Sequence, residues 1–387
     1  MAIAYTPQQD AFRAEVRAWL AAHVPDRPLV TLECQDGFDQ HVAWERELAS
    51  GNWGMVTWPE AYGGRGLDLI EWLIFEEEYW GAGAPLRANQ NGIFLLGPTI
   101  MEYGTDEQKA RFLTPMARGE VIWAQAWSEP GAGSDMAAIT ARAVRDGDHY
   151  VLSGQKTWSS RASFADWGFG IFRTEEGSKR HQGLTFILFD LESPGITRRP
   201  IRQLHGHPGF AELFFDDVRV PVANRLAGEG EGWNVAMATA GFERGLMLRS
   251  PGRFQATARR LVELYRKHEA SASPAAREAV VQAWGAAQAY AYNTYAVAAK
   301  IMVGGKIGAE ASLNKIFWSE LDRSMHRTAM QLMGAAAELK QFADGTENAW
   351  LEGYIFSLSG PIYAGSNEIQ RNITAERLLG LPRQGAG

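Results

Sequence analysis

Residues 127–135 read Trp127-Ser128-Glu129-Pro130-Gly131-Ala132-Gly133-Ser134-Asp135. The run is a strand end passing into a turn whose small residues let backbone N–H groups come close to a ligand, with the hydroxyls of Ser128 and Ser134 beside them. A second run, Gly154-Gln155-Lys156-Thr157-Trp158-Ser159-Ser160, sets an indole and several hydroxyls on a nearby strand. Between the two runs the apolar period is two. Ile139, Ala141 and Ala143 alternate with polar residues, Asp146-Gly147 marks a tight turn, and Tyr150-Val151-Leu152 resumes, which predicts a hairpin. Further strands are expected over 167–173, 184–191 and 211–220, and so many short strands between turn residues predict a small barrel or sandwich over 121–227. Taken singly, a Gly-rich turn is usually only a turn and a strand Trp usually fills a core.

Either side of this segment the apolar period lengthens. Phe12, Val16, Trp19 and Leu20, then Ile70, Leu73 and Ile74, then Ile100 and Phe112 recur at three and four, so 1–120 reads as an α-helical domain with loops at 58–64 and 81–85. After Gly228-Glu229-Gly230-Glu231-Gly232 the helical period returns to the end of the chain. Segments starting at Trp233, Ala275, Ala309 and Asn348 predict about four long helices plus a C-terminal one, an up-and-down bundle over 228–387.

A chain of 387 residues exceeds what one core usually supports, in keeping with this three-part order. The net charge of -7 and the absence of a Lys/Arg run disfavour nucleic acid as a partner. Cys34 is the single cysteine, so no internal disulfide forms, which fits a reducing, cytoplasmic setting. Residues 1–24 read as an amphipathic helix interrupted by charges, and no run is long enough to span a bilayer, so no membrane role is expected. The 14 Trp are mostly core filling, although flat aromatic walls also suit a ring-shaped cofactor. His205 and His207 lack a third ligand at credible spacing, so a loop and no metal is expected. Arg173-Thr174 and Lys179-Arg180-His181 bracket what reads as a solvated loop.

Other segments corroborate the two runs: Trp58-Pro59-Glu60 with Gly63-Gly64, Tyr103-Gly104-Thr105 with Gln108-Lys109, the stretch 215–221, and the ending Ile362-Tyr363-Ala364-Gly365-Ser366-Asn367-Glu368-Ile369-Gln370-Arg371. With them the sequence resembles the acyl-CoA dehydrogenase family over nearly its whole length. The resemblance implies that family's fold, an N-terminal α-helical domain, a middle β-barrel and a C-terminal four-helix bundle. It also implies FAD as cofactor and an acyl-CoA thioester as substrate, with electrons passed to an electron-transferring flavoprotein.

Carried over position by position, the resemblance puts Gln125, Trp127 and Ser128 at the flavin ring, Gly133 and Ser134 at the pyrophosphate and acyl-CoA, and Trp158 and Ser160 on the ring's other side. Gln331 and Gly334 correspond to the segment that reaches the adenosine part of FAD across a subunit interface. Ser366 and Glu368 occupy further cofactor-contacting positions. The backbone N–H of Ala364 would help hold the thioester oxygen together with a flavin ribityl hydroxyl, and Gly365 is a further substrate-binding position.

Desaturation between the α and β carbons needs a base for the α proton, an acceptor for the β hydride, and donors at the carbonyl where charge builds. Many family members carry the base directly after the Tyr that is Tyr363 here, but this chain has Ala364. Isovaleryl-type and long-chain-type members carry it on the first bundle helix before an Arg, and Phe242-Glu243-Arg244-Gly245 stands there. Glu243 is therefore the expected catalytic base, surrounded in sequence by Val235, Met237, Ala240, Phe242 and Leu246, with burial raising its pKa. Arg244 would serve structure or the CoA side.

The family's Arg-x-x-Phe-Gly stretch has no match between Pro251 and Ala309. Together with Ala364 and Glu243-Arg244, this resembles the catalytic subunit of the subgroup that acts on bulky substrates such as steroid side-chain CoA esters. Such members are often α2β2, so a homotetramer or an α2β2 assembly with a paralogous subunit is expected. The competing readings are a non-catalytic subunit and a flavin oxidase or monooxygenase on the same fold.

Overall fold

The computed structural model describes residues 4–244, 250–305 and 307–382, the side chains of Glu243 and Arg244 excepted. Its helices are α1 Pro7–His23, α2 Gln35–Ser50, α3 Leu69–Gly81, α4 Gly97–Tyr103, α5 Asp106–Ala117, α6 Gly232–Arg244, α7 Pro251–His268, α8 Pro274–Met302, α9 Ala311–Met333, α10 Ala349–Ser357 and α11 Asn367–Arg377. The strands are β1 Trp123–Ala126, β2 Arg142–Asp146, β3 His149–Ser160, β4 Trp167–Arg173, β5 Leu184–Asp190, β6 Ile196–Ile201, β7 Phe210–Pro221 and β8 Arg225–Leu226. Helical regions thus flank a middle sheet, as expected. Two compact units form: Met1–Val24, Asp68–Ala84 and Arg244–Gly387 in the first, and Pro25–Leu67 with Pro85–Glu243 in the second.

Several helix starts follow from capping chemistry. Thr6, Asp68 and Thr105 each accept from the backbone three residues on, while Gln9, Glu71 and Gln108 reach back to the cap N–H, satisfying donors that a helix start leaves bare. Gln108 does more, because its Nε2 donates to Ala223 O and Arg225 O, both at 2.8 Å, tying α5 to the approach to β8. The Thr105–Gln108 spacing is therefore architectural. So is Gly97: a Cβ there would lie 2.1 Å from the Trp58 indole, and only glycine lets α4 pack against that ring.

In the second unit the eight strands run β6-β7-β3-β2-β4-β5-β8, with β1 paired to β4 off that path. Ala124 and Ala126 of β1 lie opposite Gly168 and Gly170 of β4, and the Phe189 ring fills the space those glycines leave. Phe215 on β7 meets Phe172 at 5.3 Å and Phe189 at 5.2 Å between centroids, although β3, β2 and β4 separate β7 from β5 in the hydrogen-bonded order. The sheet must therefore curl over a common core. Its end strands β6 and β8 do not pair among the described residues, so the barrel expected from sequence closes by side-chain packing and not by a complete ladder.

In the first unit, α7, α8 and α9 share a core of Phe254, Ala258, Leu261, Ala283, Ala287, Tyr290, Trp318, Leu321 and Met325. The alanines of α8 permit close helix approach. Arg13 of α1 bonds Glu77 at 2.9 Å and Glu78 at 2.8 Å on α3, and Tyr295 of α8 donates to Glu77 at 2.9 Å.

Three elements differ from the sequence expectation. β6 and β8 are not expected from it, and α7 stands where the sequence predicts one fewer helix. β6, with Arg198, Arg199 and Pro200 between two isoleucines, is a sheet edge, where charge and proline are tolerated and no alternation is required. The first hairpin strand begins at Arg142, after a short turn at Met136–Ala138, while Ile139 and Ala141 are buried outside the ladder.

One ion pair fixes the strand ends. Lys156 of β3 is 0% exposed, and its Nζ donates to Glu129 Oε1 at 2.9 Å, Ile171 O at 2.7 Å and Trp127 O at 3.3 Å. Glu129 also accepts from Thr140 N and Oγ1 and from Ala141 N. Burial pulls the Lys156 ammonium down to about 8 against the attraction of Glu129. Burial would raise the Glu129 carboxyl, but Lys156 and the N–H donors outweigh it and hold it below its ordinary 4.5.

Two outcomes follow. Lys156→Met leaves a buried carboxylate without its cation and should cost about 3–5 kcal/mol by chemical denaturation, whereas Lys156→Met with Glu129→Gln should recover much of that loss. A carboxyl with a lowered folded pKa contributes stability present above its unfolded value and lost as pH falls through the folded one. The wild-type stability curve should therefore drop more steeply below about pH 4.5 than that of Glu129→Gln.

Candidate active site

The second unit builds a wall from β1, β3 and β4. Along β1, Ala124 and Ala126 enter the sheet core, so Trp123, Gln125 and Trp127 present the other face. Gln125 lies in register with Phe169 of β4. Trp127 meets Phe169 and Phe186 edge-on at 6.5 and 6.4 Å, and its indole N–H is buried with no acceptor among the described residues. Thr157 N–H donates to Ser128 O at 2.8 Å, which joins the two sequence runs directly.

Beyond Ser128 the chain turns sharply. Glu129 and Ala132 exchange reciprocal N–H to carbonyl bonds at 3.1 and 3.0 Å, with Ala132 buried and Gly131, Gly133 and Ser134 exposed. A Cβ built on Gly131 or Gly133 meets nothing within 4 Å. These glycines therefore face open space, and the turn offers bare backbone toward it.

On β3 the pairing with β7 slips between Lys156 and Ser159. At this bulge Lys156 and Thr157 are both buried, and Trp158 takes φ 57 with its side chain 59% exposed. The left-handed region costs an L-residue about 1–2 kcal/mol, so the fold holds Trp158 outward at an energetic cost. Phe210 supports the indole edge-on at 6.0 Å. Ser160 is half-buried at the strand end.

The structure thus brings together Gln125, Trp127, Ser128, Trp158 and Ser160, with Gly133 and Ser134 on the connected turn. Sequence reasoning missed the Glu129–Lys156 pair beneath them. Its only sequence trace is a glutamate inside a Gly/Pro turn and a lysine within a strand.

The first unit carries the remaining positions. Gln331 is exposed near the end of α9, and Gly334 closes that helix with φ 57. Ala364 and Gly365 follow one another at φ 56 and 80 before Ser366, which caps α11 by accepting from Ile369 N–H. No described residue accepts from the Ala364 or Gly365 N–H. Glu368 is exposed, its pKa held below the ordinary carboxylate value by backbone donors at the helix start, together with Ser366 and Arg371.

Asn367 and Gln370, which the sequence reading did not single out, are buried behind this turn. Asn367 accepts from Lys315 Nζ at 2.9 Å and donates to Ser319 and Glu320 at 3.1 and 3.0 Å.

Glu243 and Arg244 are the last two residues of α6, and their side chains lie outside the described residues. Leu246, also cited around Glu243, lies outside them as well. Upstream on α6, Val235, Ala236 and Ala240 are buried, and Thr239 bonds Thr99 of α4 at 2.9 Å. Met237 departs from the expected apolar surround, being 38% exposed.

His205 and His207 sit with ring centroids 5.4 Å apart, and no group of three potential metal ligands occurs among the described residues. The loop bracketed by Arg173-Thr174 and Lys179-Arg180-His181 is largely exposed, as expected, and the half-buried Arg173 staples it by donating to the carbonyls of Ile139, Arg180 and Gln182. Among the described residues no helix is long and apolar enough to cross a membrane.

The family models for the acyl-CoA dehydrogenase N-terminal, middle and C-terminal domains match residues 6–120, 124–218 and 230–379. The chain is 39% identical to acyl-CoA dehydrogenase IpdE1 of Mycobacterium tuberculosis, covering 98% of this chain and 99% of that one. It is similar to the solved "Tcur3481-Tcur3483 steroid ACAD", with TM-score 0.88 and 27% identity over 99% of this chain and 100% of that one. It is also similar to the ChsE4-ChsE5 complex from Mycobacterium tuberculosis, with TM-score 0.83 and 31% identity over 99% and 100%. With three family models matching it from residue 6 to residue 379 and a 39% identical relative covering 98% of it, the chain belongs to the acyl-CoA dehydrogenase family.

Proposed function

We propose that this chain is the catalytic, FAD-binding subunit of an acyl-CoA dehydrogenase, and that Glu243 removes the α proton of a bulky acyl-CoA thioester. The observation that supports it most is the wall of Gln125, Trp127 and Ser128 beside an indole held outward at φ 57. A non-catalytic subunit has no use for that strained, exposed ring.

The residues fit FAD on three counts. The Trp127 N–H is buried with no acceptor among the described residues, Gly133 opens onto free space, and Trp158 presents a flat face. Gln125, Trp127, Ser128, Trp158 and Ser160 would hold the ring system, and Gly133 and Ser134 the pyrophosphate and acyl-CoA. Gln331, Gly334, Ser366 and Glu368 would meet the cofactor's adenosine side, from a neighbouring subunit in the case of Gln331 and Gly334. When bound, FAD supplies the acceptor for the β hydride.

The chain's own residues supply the rest. Glu243 takes the α proton, while the Ala364 and Gly365 N–H groups offer donors to the thioester oxygen as negative charge builds there. An alanine at 364 keeps the N–H and removes only a side chain. Arg244 would lie on the CoA side. That one solved relative is a steroid ACAD and another a complex of two proteins supports a bulky substrate and an assembly of paralogous subunits. An electron-transferring flavoprotein would take the electrons.

Glu243→Gln should retain the yellow flavin spectrum yet lose at least about a hundredfold in exchange of the α proton of a bound acyl-CoA with deuterated water, a scale set by general-base catalysis. Undiminished exchange would end the assignment. Gly133→Val provides a second test: with nothing within 4 Å of its Cβ the variant should melt as the flavin-free wild type does, and it should purify with less than about a tenth of the flavin.

A further inference from the structure

We propose that Gln370, in the first turns of α11, is a positioning residue that aims the Ala364 and Gly365 N–H groups at the thioester oxygen. The inference rests on the dehydrogenase reading above and deepens it.

Gln370 is 0% exposed and its Nε2 lies 3.5 Å from Ala364 O and 3.3 Å from Gly365 O. The direction of the amide is forced, because two carbonyl oxygens can be faced only by a donor. A helical side chain leans toward its own N-terminus, so a residue one turn inside α11 is well placed to reach the turn preceding it.

The clamp acts on a backbone that needs one. Ala364 and Gly365 are successive residues at φ 56 and 80, and an alanine stays in that region only where its surroundings fix it. With both carbonyls turned back onto Gln370, both N–H groups are free of partners among the described residues. The base of the turn is held independently: Asn367 N–H donates to Pro361 O at 2.8 Å, and the Asn367 side chain locks to Lys315, Ser319 and Glu320. Asn367 therefore fixes where the turn stands, while Gln370 fixes how its peptides are rotated. Peptide rotation decides donor direction, and donors a fraction of an ångström out of place lose most of their effect.

The test uses the purified protein with its cofactor and whichever straight-chain, branched or sterol-side-chain CoA ester bleaches the wild-type flavin fastest. The matching enoyl-CoA is labelled with 13C at the thioester carbonyl. Gln370→Met removes the donor at similar volume, and Gln370→Glu replaces it with an acceptor while keeping shape and polarity. Both should retain flavin, lower kcat by about 10–100-fold with KM within about threefold, and move the bound carbonyl resonance back toward its free value.

A folded variant of either kind with wild-type kcat and resonance would overturn the proposal. Failure of both variants to fold would overturn it in favour of a purely architectural role. If the wild-type protein is bleached by none of the esters, or binds the enoyl-CoA without displacing its carbonyl resonance, the dehydrogenase reading itself fails.

Discussion

The candidate flavin wall depends on one buried contact, the ammonium of Lys156 against the carboxylate of Glu129. Neither charge would be tolerated alone in the core of the curled sheet. Together, with the carbonyls of Trp127 and Ile171 and the N–H groups of Thr140 and Ala141, they tie β1, β3, β4 and the entry to β2 at one point. The Ser128–Thr157 bond and the bulge that turns Trp158 outward lie immediately beside this tie. The turn carrying Gly131 and Gly133 can be open on one side because its base is anchored on the other.

Much of this was legible in the chain because it is local. Alternation along β3 and β7 and the Gly/Ser turn at 131–134 are each written within a few residues. What escaped reading is long-range or marginal. Partners 27 residues apart, such as Glu129 and Lys156, leave no periodic trace. An edge strand like β6 need not alternate, and the apolar stripe of α7, Phe254, Ala258 and Leu261, is set among Arg253, Gln255, Arg259 and Arg260. Gln370 has no local signature of its own, since only the fold reveals that its amide faces the two carbonyls before it.

The departures from the family pattern become coherent once backbone and side chain are separated. Ala364 gives up a carboxylate but keeps a left-handed peptide whose N–H has no partner among the described residues. In our proposal the carboxylate comes instead from α6, and the donors to the thioester oxygen from the turn at Ala364. Base and donors thus reside on independent pieces of chain, one at the end of a helix packed through Thr239 and Thr99, the other in a turn clamped by α11.

The most direct measurement of the central claim is the visible spectrum of the purified protein, recorded anaerobically while straight-chain, branched and sterol-side-chain CoA esters are added in turn. The account predicts a yellow protein whose flavin absorbance is bleached by at least one bulky ester, with the matching enoyl-CoA formed in equal amount. A colourless protein, or a flavin that no ester reduces, would contradict it.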